Sequence, residues 1–157
     1  MKKTKSILSK REIDNSILLS VFERIRIIPL PLSDIDEKNK LIIAETLSLL
    51  PKKIREKVID KVMFIGIDGP HGQYEEIYIG SDNENLPVII LNFSAMKQES
   101  ENYKRTTIAH EIAHFILEHE SSSGGIIIEK NADDLCEKWG FGRAYDSYDH
   151  LGHIDLT

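Results

Sequence analysis

The sequence predicts an α+β domain in which helices pack on a small, mostly antiparallel sheet. Three observations lead there. Apolar residues recur at helical spacing between Arg11 and Lys61. From Val62 the pattern changes to short β-branched runs divided by turn residues. From Ser100 helical spacing returns, with cap residues at its ends.

The elements follow in order. Residues 1–10 read as a loose arm. Over 11–27, Ile13, Ile17, Leu18, Val21, Phe22 and Ile25 fall on one helical face, and Pro29 and Pro31 end it. Ser33-Asp34 suits the cap of a second helix through Leu41, Ile42, Leu47 and Leu50. Pro51 opens a third helix over 51–61, where its missing N–H costs nothing. Strands are expected over 62–67, 76–79 and 88–91, with turns at Asp68-Gly69-Pro70 and at Gly80 to Asn83, giving a small meander. Ser100 is placed to cap a helix running to about residue 120, with Glu101 at its positive end. Ser121 to Gly125 read as a loop, and a last helix over 129–139 stops at Gly140. Residues 143–157 form a polar tail, so the chain is read as one domain over 1–157.

Composition bounds the function. The 157 residues, 41% hydrophobic and 29% charged, can bury a core without a disulfide scaffold. Lys+Arg is 20 against Asp+Glu 26, and a net charge of −6 argues against nonspecific binding to nucleic acid or to an anionic membrane. The single cysteine, Cys136, cannot pair within the chain and excludes a Cys-rich metal site. It reads as a core thiol, and Trp139 and Phe141 as packing residues. No apolar run suits a signal peptide or a membrane span, so a cytoplasmic protein is expected.

The chemistry concentrates at His110-Glu111-Ile112-Ala113-His114. Residues i and i+4 share a helix face, so both imidazoles can reach one metal ion, and Zn²⁺ suits nitrogen ligands. Glu111 sits at the edge of that face, where its carboxylate can take the proton of a water whose pKa the metal lowers to about 7. The competing reading is two unrelated histidines on a buried helix. A third protein ligand is needed. Position 120 is Glu and position 117 is Leu, so a third histidine six residues after the second is absent. His119 stands nine residues after His110, about 180° round an unbroken helix, and so points away. Glu129 and Asp133, at i and i+4 on the next helix, share a face, and small Ala132 beside them allows close helix approach. Glu129 is read as the ligand and Asp133 as the acceptor that orients an imidazole, with Asp133 as the ligand instead kept as an alternative. The tail from Tyr145 to His153 carries Tyr and His types that could stabilise an oxyanion if it folded over the site. From position alone it reads as solvated.

The run from Arg105 to His114, followed by Glu129-Lys130-Asn131-Ala132-Asp133, resembles the gluzincin-type zinc metallopeptidases. It is especially similar to the ImmA/IrrE-like family of small bacterial and phage proteins. The resemblance covers residues 105–139. It implies a zincin-like fold with an active-site helix, Zn²⁺ held by His110, His114 and Glu129, and Glu111 as catalytic base. It further implies that the strand before the helix, Val88 to Asn92, is an open edge along which an extended peptide lies. A zinc metallopeptidase acting on a protein or peptide substrate is therefore expected. The rival is a regulatory or binding protein of a mobile element or stress-response system, whose zinc has no catalytic part.

Overall fold

The computed structural model describes residues 12–28, 37–66, 72–79, 84–96, 99–119 and 125–149. The expected arm, the Pro29 and Pro31 stop, the Ser33-Asp34 cap, both strand turns, loop residues 121–124 and the tail from His150 lie outside them.

The architecture is α+β. Helix α1 (Asn15–Arg24) begins where Asp14 Oδ1 accepts the backbone N–H groups of Ser16 at 2.8 Å and Ile17 at 3.4 Å. It is shorter than the expected 11–27. Ile25 is extended, and Ile27–Ile28 form strand β1, which the helical reading absorbed. A run of Ile, Arg, Ile, Ile suits both periods, and pairing with a neighbouring strand decides. Helix α2 (Glu37–Leu49) and helix α3 (Lys52–Lys61) follow, the latter with Pro51 as its N-cap. Buried Arg55 of α3 reaches back to the carbonyls of Ser48 and Leu50, at 3.4 Å each, and satisfies the open end of α2.

Strands β2 (Met63–Gly66), β3 (Gly72–Ile79) and β4 (Glu84–Leu91) complete a four-stranded sheet in the order β1-β2-β4-β3. The sheet is mixed. β1 with β2 and β2 with β4 pair in parallel, and only the β3–β4 hairpin is antiparallel. The expected mostly antiparallel meander is thus corrected. β4 passes between β2 and β3, and β1, unseen in the sequence, joins through helical crossovers that parallel pairing requires. A second correction concerns Val88 to Asn92. Val88 to Leu91 pair with β2 on one side and β3 on the other, so this stretch is central, and the outer strand next to it is β3. Pro87 lies one residue before the β2 ladder begins, where β4 is flanked by β3 alone.

After the short helix α4 (Phe93–Met96) comes the central helix α5 (Glu101–Ile116). Ser100 caps it as expected, its hydroxyl accepting the Tyr103 N–H at 3.2 Å. Every residue from Thr106 to Phe115 is buried, because α5 is covered by α2, by β3 and β4, and by helix α6 (Ile126–Lys138). Ala109, Ala113 and Ala132 are fully buried, and side chains of that size let α5 and α6 come close. Arg105 of α5 and Glu45 of α2 form an ion pair at 2.5 Å. Cys136, Trp139 and Phe141 join the core, as read from the sequence. Among the described residues, no helix is long and apolar enough to cross a membrane.

Candidate metal centre

A helix buried on all sides has to satisfy the polar side chains it carries. On α5 these include His110, Glu111 and His114, which are 2%, 7% and 8% exposed. The first turn of α6 brings Glu129 to the last turns of α5. His110 Nε2 lies 2.8 Å from Glu129 Oε2 and 3.0 Å from His114 Nε2, and His114 Nε2 lies 3.3 Å from the same Glu129 oxygen. Three ligand atoms from two helices therefore converge on one point, and His110, His114 and Glu129 could hold a metal ion. A tetrahedral ion with bonds of about 2.05 Å separates its donors by about 3.3 Å. The observed triangle needs to open by only a few tenths of an ångström.

One turn further along α6, Asp133 is fully buried. Its Oδ1 accepts from His110 Nδ1 at 2.8 Å and from the Ala144 N–H at 2.8 Å. Its Oδ2 accepts from the Tyr148 hydroxyl at 2.5 Å and, at 3.4 Å, from the Tyr145 N–H. Asp133 thus stands behind His110 and not among the converging atoms. With Nδ1–H committed to Asp133, His110 presents Nε2 to the site.

The electrostatics fit a cation. Burial pulls His110 toward neutrality, but its hydrogen bonds to Asp133 and Glu129 outweigh this and carry it up to about 9. Burial works against a charged Glu129 as well, yet the His110 and His114 contacts bring it down to about 2. Its place in the first turn of α6 adds the positive end of that helix. Asp133 is likewise held below the ordinary carboxylate range, its hydrogen bonds to His110, Tyr148 and Ala144 overcoming burial. The centre thus holds one positive charge on His110 between two carboxylates, at the place where a metal ion could take over that role. Burial pushes the Cys136 thiol up, so it is no nucleophile.

Two features escaped the sequence reading. The first is His119, which does not point away. Helix α5 ends at Ile116 and not near residue 120, so the periodicity that turned His119 outward no longer applies. Its Nδ1 lies 2.8 Å from His114 Nδ1. The second is the start of the tail. Residues 143–149 are not a solvated tail but a strap tied to Asp133. Arg143 donates to the Tyr148 hydroxyl at 2.7 Å and to Asp134 at 2.8 Å, and Tyr103 donates to the Ala144 carbonyl at 3.4 Å. The Tyr145 ring stands edge-on to His110, centroids 5.5 Å apart. Burial, then the negative charges of Glu129 and Glu111, push its phenol up to about 12. The signal was present in the Tyr and Arg content of 143–148, but only the buried Asp133 carboxylate reveals what those groups serve. His150 and His153 lie outside the described residues.

Compared with known proteins, the chain matches no family model, no curated protein and no solved structure.

Proposed function

We propose that the chain is a zinc-dependent metallopeptidase of zincin-like fold and gluzincin type, hydrolysing peptide bonds in a protein substrate. The observation that carries this reading is the convergence of His110 Nε2, His114 Nε2 and Glu129 Oε2, with the buried Glu111 next to His110 on the same helix. Two imidazoles and one carboxylate, leaving a fourth position open, suit catalytic Zn²⁺. A zinc ion held there supplies Lewis acidity and brings the pKa of a water to about 7.

The remaining work belongs to the chain. His110 and His114 present Nε2, and Asp133 fixes the His110 ring through Nδ1. Glu111 accepts the proton of the attacking water on its carboxylate and passes it to the leaving amine nitrogen. Tyr145, whose phenol keeps its proton at neutral pH, is the donor we assign to the carbonyl oxygen as it gains charge. The outer strand β3 packs against α5 and has no partner on its far side among the described residues. An extended substrate segment adding to that edge would run beside the active-site helix. This moves the substrate strand from Val88 to Asn92, as the sequence suggested, to 72–79.

The test is Glu111→Gln, which keeps size and hydrogen bonding but cannot take a proton. Zinc-loaded protein and variant are incubated with a mixture of synthetic peptides, and cleavage is followed by mass spectrometry. Wild type should cut, and Glu111→Gln should lose at least about 100-fold in rate with zinc content unchanged. Zinc binding by both without cleavage by either would overturn the peptidase reading in favour of a regulatory zinc protein.

A further inference from the structure

The two ligand imidazoles are steadied in different ways, and the difference lies in how α5 ends. Both α5 and α6 close in the same six-residue cap. In α6, Gly140 N–H bonds the Glu137 carbonyl at 2.9 Å and Phe141 N–H bonds the Cys136 carbonyl at 2.9 Å. The left-handed position is Gly140, with φ 87°, and the side chains that the cap sets side by side, Phe141 and Cys136, are buried and apolar. That is the ordinary form of the motif. In α5 the same bonds run from Glu118 N–H to the Phe115 carbonyl at 3.2 Å and from His119 N–H to the His114 carbonyl at 3.0 Å. Here the left-handed residue is Glu118, with φ 56°, a conformation that side chains disfavour. The pair that the cap brings together is His119 and His114.

We propose that His119 is a positioning residue that holds His114 in its metal-binding tautomer, and that the left-handed turn at Glu118 is what delivers it. This rests on the metal-centre reading above. A neutral imidazole that binds a metal through Nε2 carries its proton on Nδ1. His114 Nδ1 faces His119 Nδ1 at 2.8 Å, with ring centroids 5.1 Å apart. If His114 donates, His119 accepts on Nδ1 and carries its own proton on Nε2. The reverse arrangement would leave a proton on His114 Nε2 and block ligation. The contact therefore fixes both rings at once, as the Asp133 carboxylate does for His110. A local turn thus does for one ligand what a residue of the next helix does for the other.

The experiment uses the full chain with zinc alone as probe. Zinc affinity is measured by chelator competition for wild type, His119→Leu and His119→Gln, alongside thermal melts of each metal-free protein. His119→Leu should bind zinc about 10- to 100-fold more weakly, with a metal-free melting temperature within about 2 °C of wild type. His119→Gln, which keeps an acceptor oxygen, should recover most of the affinity. Nitrogen NMR of the zinc-loaded wild type should find the proton on His114 Nδ1 and none on His119 Nδ1. Unchanged affinity in His119→Leu overturns the proposal, as does a proton on His119 Nδ1. Joint loss of affinity and metal-free stability that His119→Gln does not restore makes His119 a packing residue and also overturns it. Failure of wild type to bind zinc would instead sink the metal-centre reading itself.

Discussion

Metal binding at this centre has to displace a proton, and the pH at which that proton leaves can be worked out from the structure. In the metal-free protein the His110 imidazolium bridges two carboxylates, Asp133 at Nδ1 and Glu129 at Nε2, both at 2.8 Å. Its pKa is raised from 6.5 to about 9. At pH 7 only about 1% of His110 is then free to ligate, so zinc affinity should climb about tenfold per pH unit up to about pH 9. An unperturbed imidazole would give less than about a twofold rise over the same range. Glu129, held near 2, stays ionised throughout and adds nothing to this slope. Linkage sets the sign for stability. A raised pKa stabilises the metal-free fold fully below about pH 6.5, and the contribution fades as pH rises through about 9. The shift is worth about 3 kcal/mol, or roughly 10 °C of melting temperature for a domain of this size. Zinc-loaded protein should lack that loss, because the ion replaces the proton between His110 and Glu129. The assays are a zinc titration against a chelator of known pH dependence at pH 7, 8 and 9, and melts of both forms. Flat zinc affinity from pH 7 to 9, with flat metal-free melting, would refute the bridging imidazolium.

Three other outcomes follow from the same geometry. Glu129→Ala should abolish zinc binding, whereas Asp133→Ala should weaken it by about 10- to 100-fold. Asp133→Ala should also destabilise the fold by about 2–3 kcal/mol, because it strips the acceptor from buried His110 Nδ1 and from the half-buried Ala144 N–H and Tyr148 hydroxyl, of which the first carries the largest cost, about 1–3 kcal/mol. Metal content by elemental analysis decides, and a metal-free Asp133→Ala beside a loaded Glu129→Ala would reverse the assignment. Glu118→Gly should raise the melting temperature by the equivalent of about 0.5–1 kcal/mol, since glycine adopts positive φ freely and Glu118 is exposed. A drop in melting temperature would mean that the Glu118 side chain makes a contact worth more than the strain.

The convergent side chains were legible because helical periodicity is local. His110 and His114 lie four residues apart and must share a face wherever the helix sits. The same holds for Glu129 and Asp133, although which of them meets the imidazoles depends on how α6 is set along α5. The sheet was less legible for a complementary reason. Strand order depends on pairing between distant segments, and the local pattern of Val88 to Leu91 is the same at an edge as in the middle. A continuous apolar run reports burial on both faces of the sheet, as the adjacent buried Val88 and Ile89 do, and carries no word of which strands lie alongside. β1 was lost to the helix before it, because Ile27–Ile28 is too short to show a period of its own. His119 was misjudged by its neighbour. Glu118 gives no sign of a left-handed residue, whereas Gly140 marked the end of α6 plainly.

The orientation of the two helices explains why the centre sits where it does. His114 lies in the last turn of α5, whose carbonyl end favours a cation, and Glu129 in the first turn of α6, whose amide end favours an anion. The positive species between them is thus supported by both helix ends before any side chain is counted. Asp133, one turn deeper, draws on a different set of donors, namely the Ala144 N–H and the Tyr148 hydroxyl of the strap. Exchanging the His110 proton for a metal ion changes Nε2 but leaves the Nδ1–Asp133 bond in place. The strap would therefore have no reason to release on metal entry, and Tyr145, edge-on to His110, would be left in place. What the exchange would change is the partner of Glu129, now paired with His110 and then with the ion. The Glu129 carboxylate, on the first turn of α6 with only Gly125 as N-cap, is the candidate ligand with the fewest constraints on its position. The few tenths of an ångström by which the triangle would have to open for an ion are most easily found there, because both imidazoles are held through Nδ1.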